Sequence, residues 1–112
     1  MAITKETEEQ IQQLQLLEQS MQSLNMQRQG FQMQFIEAEN ALAEIEKVES
    51  AYKRVGNIMV LSGKDDLAKE LQSKKEILEL RLKNIEKQES KIKARAAKLQ
   101  EEILGKLKVE EG

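Results

Sequence analysis

The sequence predicts a mainly α protein, a long antiparallel two-helix coiled-coil hairpin with a small β-hairpin at its bend. Three observations predict it. Apolar residues repeat in heptads through both halves of the chain, and the two repeats fit one another in reverse. Between them, "SAYKRVGNIMVLSGKDD" from Ser50 to Asp66 reads as two short strands rather than as helix. The chain is one domain, with a first coiled-coil helix over 5–49, a β element over 50–63 and a second coiled-coil helix over 64–108.

The first arm places Leu14, Leu17, Met21, Leu24, Arg28, Phe31, Phe35, Ala38, Leu42 and Ile45 at steps that alternate three and four. The second arm does the same, with Leu71, Leu78, Ile85, Ile92 and Leu99 on one seam position. The other holds Ala68, Lys75, Leu82, Glu89, Ala96 and Ile103. A 3.5-residue apolar repeat sustained this long argues for coiled coil rather than an ordinary amphipathic helix. In an antiparallel pair, facing residues have numbers that add to a constant. A constant of 113 sets Leu42 against Leu71, Phe35 against Leu78, Met21 against Ile92 and Leu14 against Leu99. Every a position of one arm then meets a d position of the other. Each arm is roughly 40 residues, or about 60 Å of helix, with one seam to bury and no interior for a ligand pocket.

Three of these seam positions are charged, Arg28, Lys75 and Glu89, and the first and last can reach each other. Arg28 faces Ile85, and Glu89 faces Leu24 one layer away. Either the two form a pair that fixes register at a cost in stability, or both side chains reach out to water along the helix surface. A double-mutant cycle separates these, since only a pair gives a coupling energy.

Tyr52–Val55 and Ile58–Leu61 flank Gly56-Asn57, the pattern of a tight β-hairpin whose type I′ turn needs positive φ at both central residues. Ser62 and Asp65 stand at capping-box spacing before the second helix. The alternative is a plain loop, but a helix–helix connection needs only two to eight residues, and none of them need be apolar. A two-stranded hairpin alone is barely stable in water. Tyr52, Val55, Gly56, Asn57, Ile58, Met59, Val60 and Leu61 are therefore expected to form an assembly element completed by other chains. Ile36, Val48, Leu67, Ile77 and Leu80 lie off the seam nearby and could pack in that junction.

The composition excludes several classes of function. His and Cys are absent, so imidazole and thiolate metal ligands, His-based proton transfer and disulfides are ruled out. Carboxylates abound, but a rod offers them no buried pocket to shift a pKa usefully. The "GKD" of Gly63–Asp65 lacks the glycine spacing and the Ser or Thr of a phosphate loop. No enzyme activity, cofactor or metal is expected. Net charge is only −2, so no bulk field draws the chain to nucleic acid. The basic run "KIKARAAK" of Lys91–Lys98 reads as a solvated face, because Glu89, Glu101 and Glu102 border it and no aromatic stacks nearby. The opening "MAITKETEEQ" has no apolar targeting core, and no apolar run reaches the length of a membrane span. A cytoplasmic location without membrane contact is the expectation.

Helix, "YKRVGNIMV", then "ELQSKKEILELRLKNIEKQESKI" resembles the archaeal beta-type subunits of the prefoldin family. So does the Gln-rich first arm "QLQLLEQSMQSLNMQRQGFQMQ" with "EAENALAEIEK" after it. The likeness covers residues 10–104. Alpha-type subunits carry two β-hairpins, for which this chain has no room. The resemblance implies a hexamer of two alpha-type and four beta-type subunits, in which each hairpin joins an intersubunit β-barrel and coiled coils project from it. It also implies an ATP-independent chaperone that holds unfolded client proteins at the coiled-coil tips and delivers them to a group II chaperonin.

Both chain ends fall at the open end of the helical hairpin. Ile3, Ile11 and Leu16 on one arm, and Leu104, Leu107 and Val109 on the other, are apolar residues that the seam does not require. With the last seam residues Leu14, Leu17 and Ile103 they form the expected client-binding tip. The second seam is expected to break down near Gly105, with Lys106 at a core position, so that a fraying end exposes these side chains. The first arm is dense in Gln and Met from Gln10 to Gln34, and such side chains impose little electrostatic selectivity. A structural coiled-coil spacer that tethers two partners is the alternative. It would need defined docking motifs at its ends and no such Met-containing, uncharged arm.

Overall fold

The computed structural model describes residues 3–111, and side chains through residue 109. Helix α1 spans Lys5–Ile45, strand β1 Ala51–Val55, strand β2 Ile58–Ser62 and helix α2 Lys64–Glu111. The chain divides into two compact units. A terminal unit comprises Met1–Gln27 with Asn84–Gly112, and a hairpin unit comprises Arg28–Lys83.

In the terminal unit the start of α1 lies antiparallel to the end of α2. Thr4 caps α1: its hydroxyl accepts from the Thr7 amide at 3.2 Å, and its carbonyl accepts from the Glu8 amide at 3.0 Å. Leu24, Ile85, Leu99 and Ile103 are buried, and Leu14, Leu17, Met21, Ile92 and Ala96 are half-buried. The seam does not begin at Leu14. It continues back through half-buried Gln10 to Thr7, which is fully buried, on the same three-and-four steps.

In the hairpin unit the end of α1 packs on the start of α2. Ala38, Ile45 and Leu78 are buried, while Phe31, Phe35, Leu42, Leu71 and Leu82 are half-buried. The Lys75 ammonium sits 5.4 Å from the Phe35 ring centre, and the Arg81 guanidinium 5.5 Å from that of Phe31. Lys75 thus occupies a seam position with its charge over an aromatic face and 3.7 Å from Glu39. Interhelix contacts within each unit, such as Glu6–Lys106, Gln10–Glu102, Phe31–Arg81 and Glu39–Lys75, join residues whose numbers add to nearly 113.

Helix α1 ends at Ile45, short of residue 49. Glu44, Glu46 and Glu49 crowd a terminus whose dipole favours cations, and its last turn holds no basic residue. The Lys47 amide instead turns back to the Glu44 carbonyl at 3.1 Å. The ammonium of Lys64, first residue of α2, takes the Glu46 carbonyl at 3.2 Å. Helix α2 starts at Lys64, with a cap one residue later than Ser62. Gly63 is its cap, accepting from the Leu67 amide at 2.9 Å, and the Asp66 carboxylate folds back toward Gly63.

Strands β1 and β2 pair antiparallel, with Val55 opposite Ile58 and Ala51 opposite Ser62. The two-residue turn differs from the expected type I′. Gly56 has φ of 61°, and no non-glycine residue described has positive φ. Asn57 therefore keeps negative φ, and the turn is of the II′ kind, which puts its one strained position on glycine.

Gly30 lies inside α1 at an exposed position, with no atom within 4 Å of where a Cβ would stand. Gly30→Ala should stabilise the protein by about 0.5–1 kcal/mol, measured as a raised unfolding midpoint in denaturant. No change or a loss would show that the glycine is needed for another reason.

Candidate functional site

The strand register divides the hairpin residues between two faces. Lys53, Val55, Ile58 and Val60 share one face with Ala51, while Tyr52, Arg54, Met59 and Leu61 share the other. Only Ala51 is buried, at 7% exposed, where β1 leaves the helices. Lys53 reaches the Glu70 carboxylate of α2 at 2.9 Å, which ties the strand pair to the helix through one exposed ion pair. The large apolar side chains stay uncovered: Tyr52, Val55, Ile58, Met59, Val60 and Leu61 are all exposed, Leu61 at 65%. Strands with apolar residues on both faces are ordinarily covered on both. Among the described residues there is no third strand, so each outer edge also carries unpaired backbone groups. Val48, Ile36, Ile77 and Leu80 in the same unit are exposed as well, whereas Leu67 is half-buried.

The second apolar set lies at the end of the terminal unit. Ile3, Leu16, Leu104 and Val109 are exposed, with Val109 at 80%. Ile11, Leu14, Leu17 and Leu107 are half-buried, and Ile103 is buried in the seam. The structure thus presents four of the nine on the surface and keeps Ile103 as core.

The expected breakdown at Gly105 is not what the structure shows. Helix α2 runs on to Glu111 with Gly105 inside it. Lys106 keeps the seam position, and its ammonium is held at 2.8 Å from the Glu6 carboxylate and 2.9 Å from the Gln10 amide oxygen. The same Gln10 donates to Glu102 at 2.9 Å. Thr7, buried beside this network, shares a hydrogen bond of 2.8 Å with the Thr4 hydroxyl. The helix ends are closed by a polar clamp where an apolar layer was wanting. Sequence reasoning missed Glu6, Thr7, Gln10 and Glu102. The signal was there, because extending the heptad back from Leu14 lands on Gln10 and Thr7.

Hydrogen bonding from Lys106 and its charge hold the Glu6 carboxyl below its ordinary pKa. A lowered folded-state value means that the contact stabilises the folded end above the unfolded carboxylate pKa. That contribution is lost as pH falls through the folded value. Amide exchange at the start of α1 should therefore speed up in acid relative to its intrinsic rate, and Glu6→Gln should remove much of that dependence. An unchanged acid response in Glu6→Gln would place its source elsewhere.

Among the described residues no His, Cys, Asp or Glu cluster could hold a metal ion. No described helix is long and apolar enough to cross a membrane.

A family model described as "Prefoldin subunit" matches residues 8–110. The prefoldin subunit beta of Archaeoglobus fulgidus is 39% identical, covering 89% of this chain and 89% of its own length. That of Pyrobaculum neutrophilum is 40% identical, covering 79% of this chain and 75% of its own. The crystal structure of the prefoldin beta subunit from Thermococcus strain KS-1 superposes with a TM-score of 0.85 at 34% identity, covering 93% of this chain and 94% of that one. Two long helices around one antiparallel strand pair, with matches of this extent, place the chain in the prefoldin subunit family, among its beta-type members.

Proposed function

We propose that the chain is the beta-type subunit of an ATP-independent holding chaperone. It assembles with an alpha-type subunit and with further copies of itself, two alpha and four beta, through its strand pair. The assembly acts in the cytoplasm, holds non-native proteins at the ends of its terminal units and passes them to a group II chaperonin. It performs no catalysis and uses no cofactor. The observation that carries this reading is the strand pair, apolar on both faces and unpaired at both edges, which a lone chain leaves exposed. Membership of a family of subunits supports it. The exposed Ile3, Leu16, Leu104 and Val109 support a holding surface on the terminal unit.

A spacer that tethers two partners is favoured by one observation, the clamp around Lys106, which seals the helix ends. The two readings part on one measurement. A substoichiometric amount of the assembled protein should keep a chemically denatured test protein soluble after dilution without ATP. Aggregation at the rate of the test protein alone would leave the spacer.

A further inference from the structure

The run Lys91–Lys98 is a solvated face whose charges are unevenly distributed about α2. Glu89, which looked like a neutralising neighbour, is 8% exposed and belongs to the seam. Glu101 and Glu102 are exposed just past the end of the run, and Glu102 accepts from Gln10. Lys91, Lys93, Arg95 and Lys98 are exposed, and none forms an ion pair among the described residues.

Their distribution about the helix matters more than their number. Counted in heptads from Ala68 as an a position, Arg95 is g, Lys91 and Lys98 are c, and Lys93 is e. Positions g and c share one flank of a coiled-coil helix, and e lies on the other. On α1, counted from Leu14, the matching g and c positions are Gln13, Leu16 and Ser20. The two helices do share this flank: Gln13 of α1 lines a groove with Arg95, Lys98 and Glu102 of α2. Three cations, two neutral polar groups and an exposed leucine therefore lie along this flank, with Glu102 at its end toward the chain termini. On the opposite flank Lys93 is set among Glu18 and Glu86. The chain as a whole is acidic, so this flank is a local reversal of sign.

The geometry points to a docking surface on this flank of the terminal unit for an acidic polypeptide segment, held by Lys91, Arg95 and Lys98 and seated on Leu16. Charge complementarity selects that occupant. The stripe spans about 10 Å of helix, matching two turns of an acidic helix or a short extended stretch. Exposed Leu16 suits a polypeptide side chain. A nucleic acid strand would find no aromatic platform in the terminal unit and would meet a chain of net negative charge. Separated, solvated charges of this kind act mainly through steering and selectivity, and salt weakens them.

The test uses the full chain in its assembled form and two synthetic 12-residue probes, one rich in Glu with a single Leu and its Gln-for-Glu counterpart. At low salt the Glu probe should bind on the order of tenfold more tightly than the Gln probe, and the difference should vanish at about 1 M salt, where screening acts within 3 Å. The combined Lys91→Gln, Arg95→Gln and Lys98→Gln variant should bind both probes alike. Lys74→Gln, Lys83→Gln and Lys87→Gln together change net charge by the same amount at exposed sites and should leave the preference intact. Equal binding of the two probes by the unaltered protein would overturn the proposal. So would loss of preference in the control triple, or tighter binding of a single-stranded oligonucleotide than of the Glu probe.

Discussion

Removing residues 1–10 and 105–112 should leave the mass of the assembly that of the shortened subunits and abolish its suppression of aggregation. The deletion takes Ile3 and Val109 from the surface and leaves the strand pair untouched. It also takes Glu6, Gln10 and Lys106, so a shortened protein loses the clamp together with the apolar side chains. The two losses separate in Leu16→Ser, Leu104→Ser and Val109→Ser combined. These side chains are exposed, with Leu16 at 61% and Leu104 at 58%, so the substitutions leave the seam and the clamp in place. Each contributes about 1.5–3 kcal/mol when fully buried against a client, and partial burial at a mobile contact gives less. A rise of about tenfold or more in the protein needed for half-suppression is expected, since each 1.4 kcal/mol lost is tenfold in affinity. Full suppression by this triple variant would place client contact away from the exposed tip. Full suppression by the truncated protein would remove the ends altogether.

The seam was legible because heptad spacing is a property of the sequence itself. Leu24, Ala38, Ile45, Leu78, Ile85 and Leu99 were named from period alone, and all are buried. The strand pair was legible for a similar reason, since "YKRV" and "IMVL" around Gly56-Asn57 have no helical period. The turn type was not, because glycine and asparagine both tolerate positive φ and only the backbone shows that Gly56 alone adopts it. The polar clamp was hidden by the rule that made the seam visible. A search for apolar a and d residues stops at Leu14, although Thr7, Gln10 and Lys106 occupy the same positions, Lys106 donating to Gln10 and Thr7 paired with Thr4. Pattern identifies burial by apolarity, and it passes over burial achieved by hydrogen bonding.

Ile58→Ser with Val60→Ser should convert the protein from an assembly to a dissociated chain without unfolding its helices. Both residues lie on one face of β2, 62% and 44% exposed in the isolated chain. Because they are already in water there, replacing them removes little from the folding of a single chain. Their contribution arises only when another subunit covers that face. Burying each such side chain gives about 1.5–3 kcal/mol, so the pair removes roughly 3–6 kcal/mol from each interface, or about 10²–10⁴ in association constant. The strand ladder and the Lys53–Glu70 tie are retained, and circular dichroism should report unchanged helix content while native mass measurement reports the free subunit. Arg54→Ser, exposed on the opposite face, serves as the comparison and should keep its assembly. Loss of helix content in the double variant would mean that the strand pair supports the fold of its own chain. Retention of the full assembly at micromolar concentration would show that the subunits join through some other surface, and the reading of this stretch as an assembly element would fall with it.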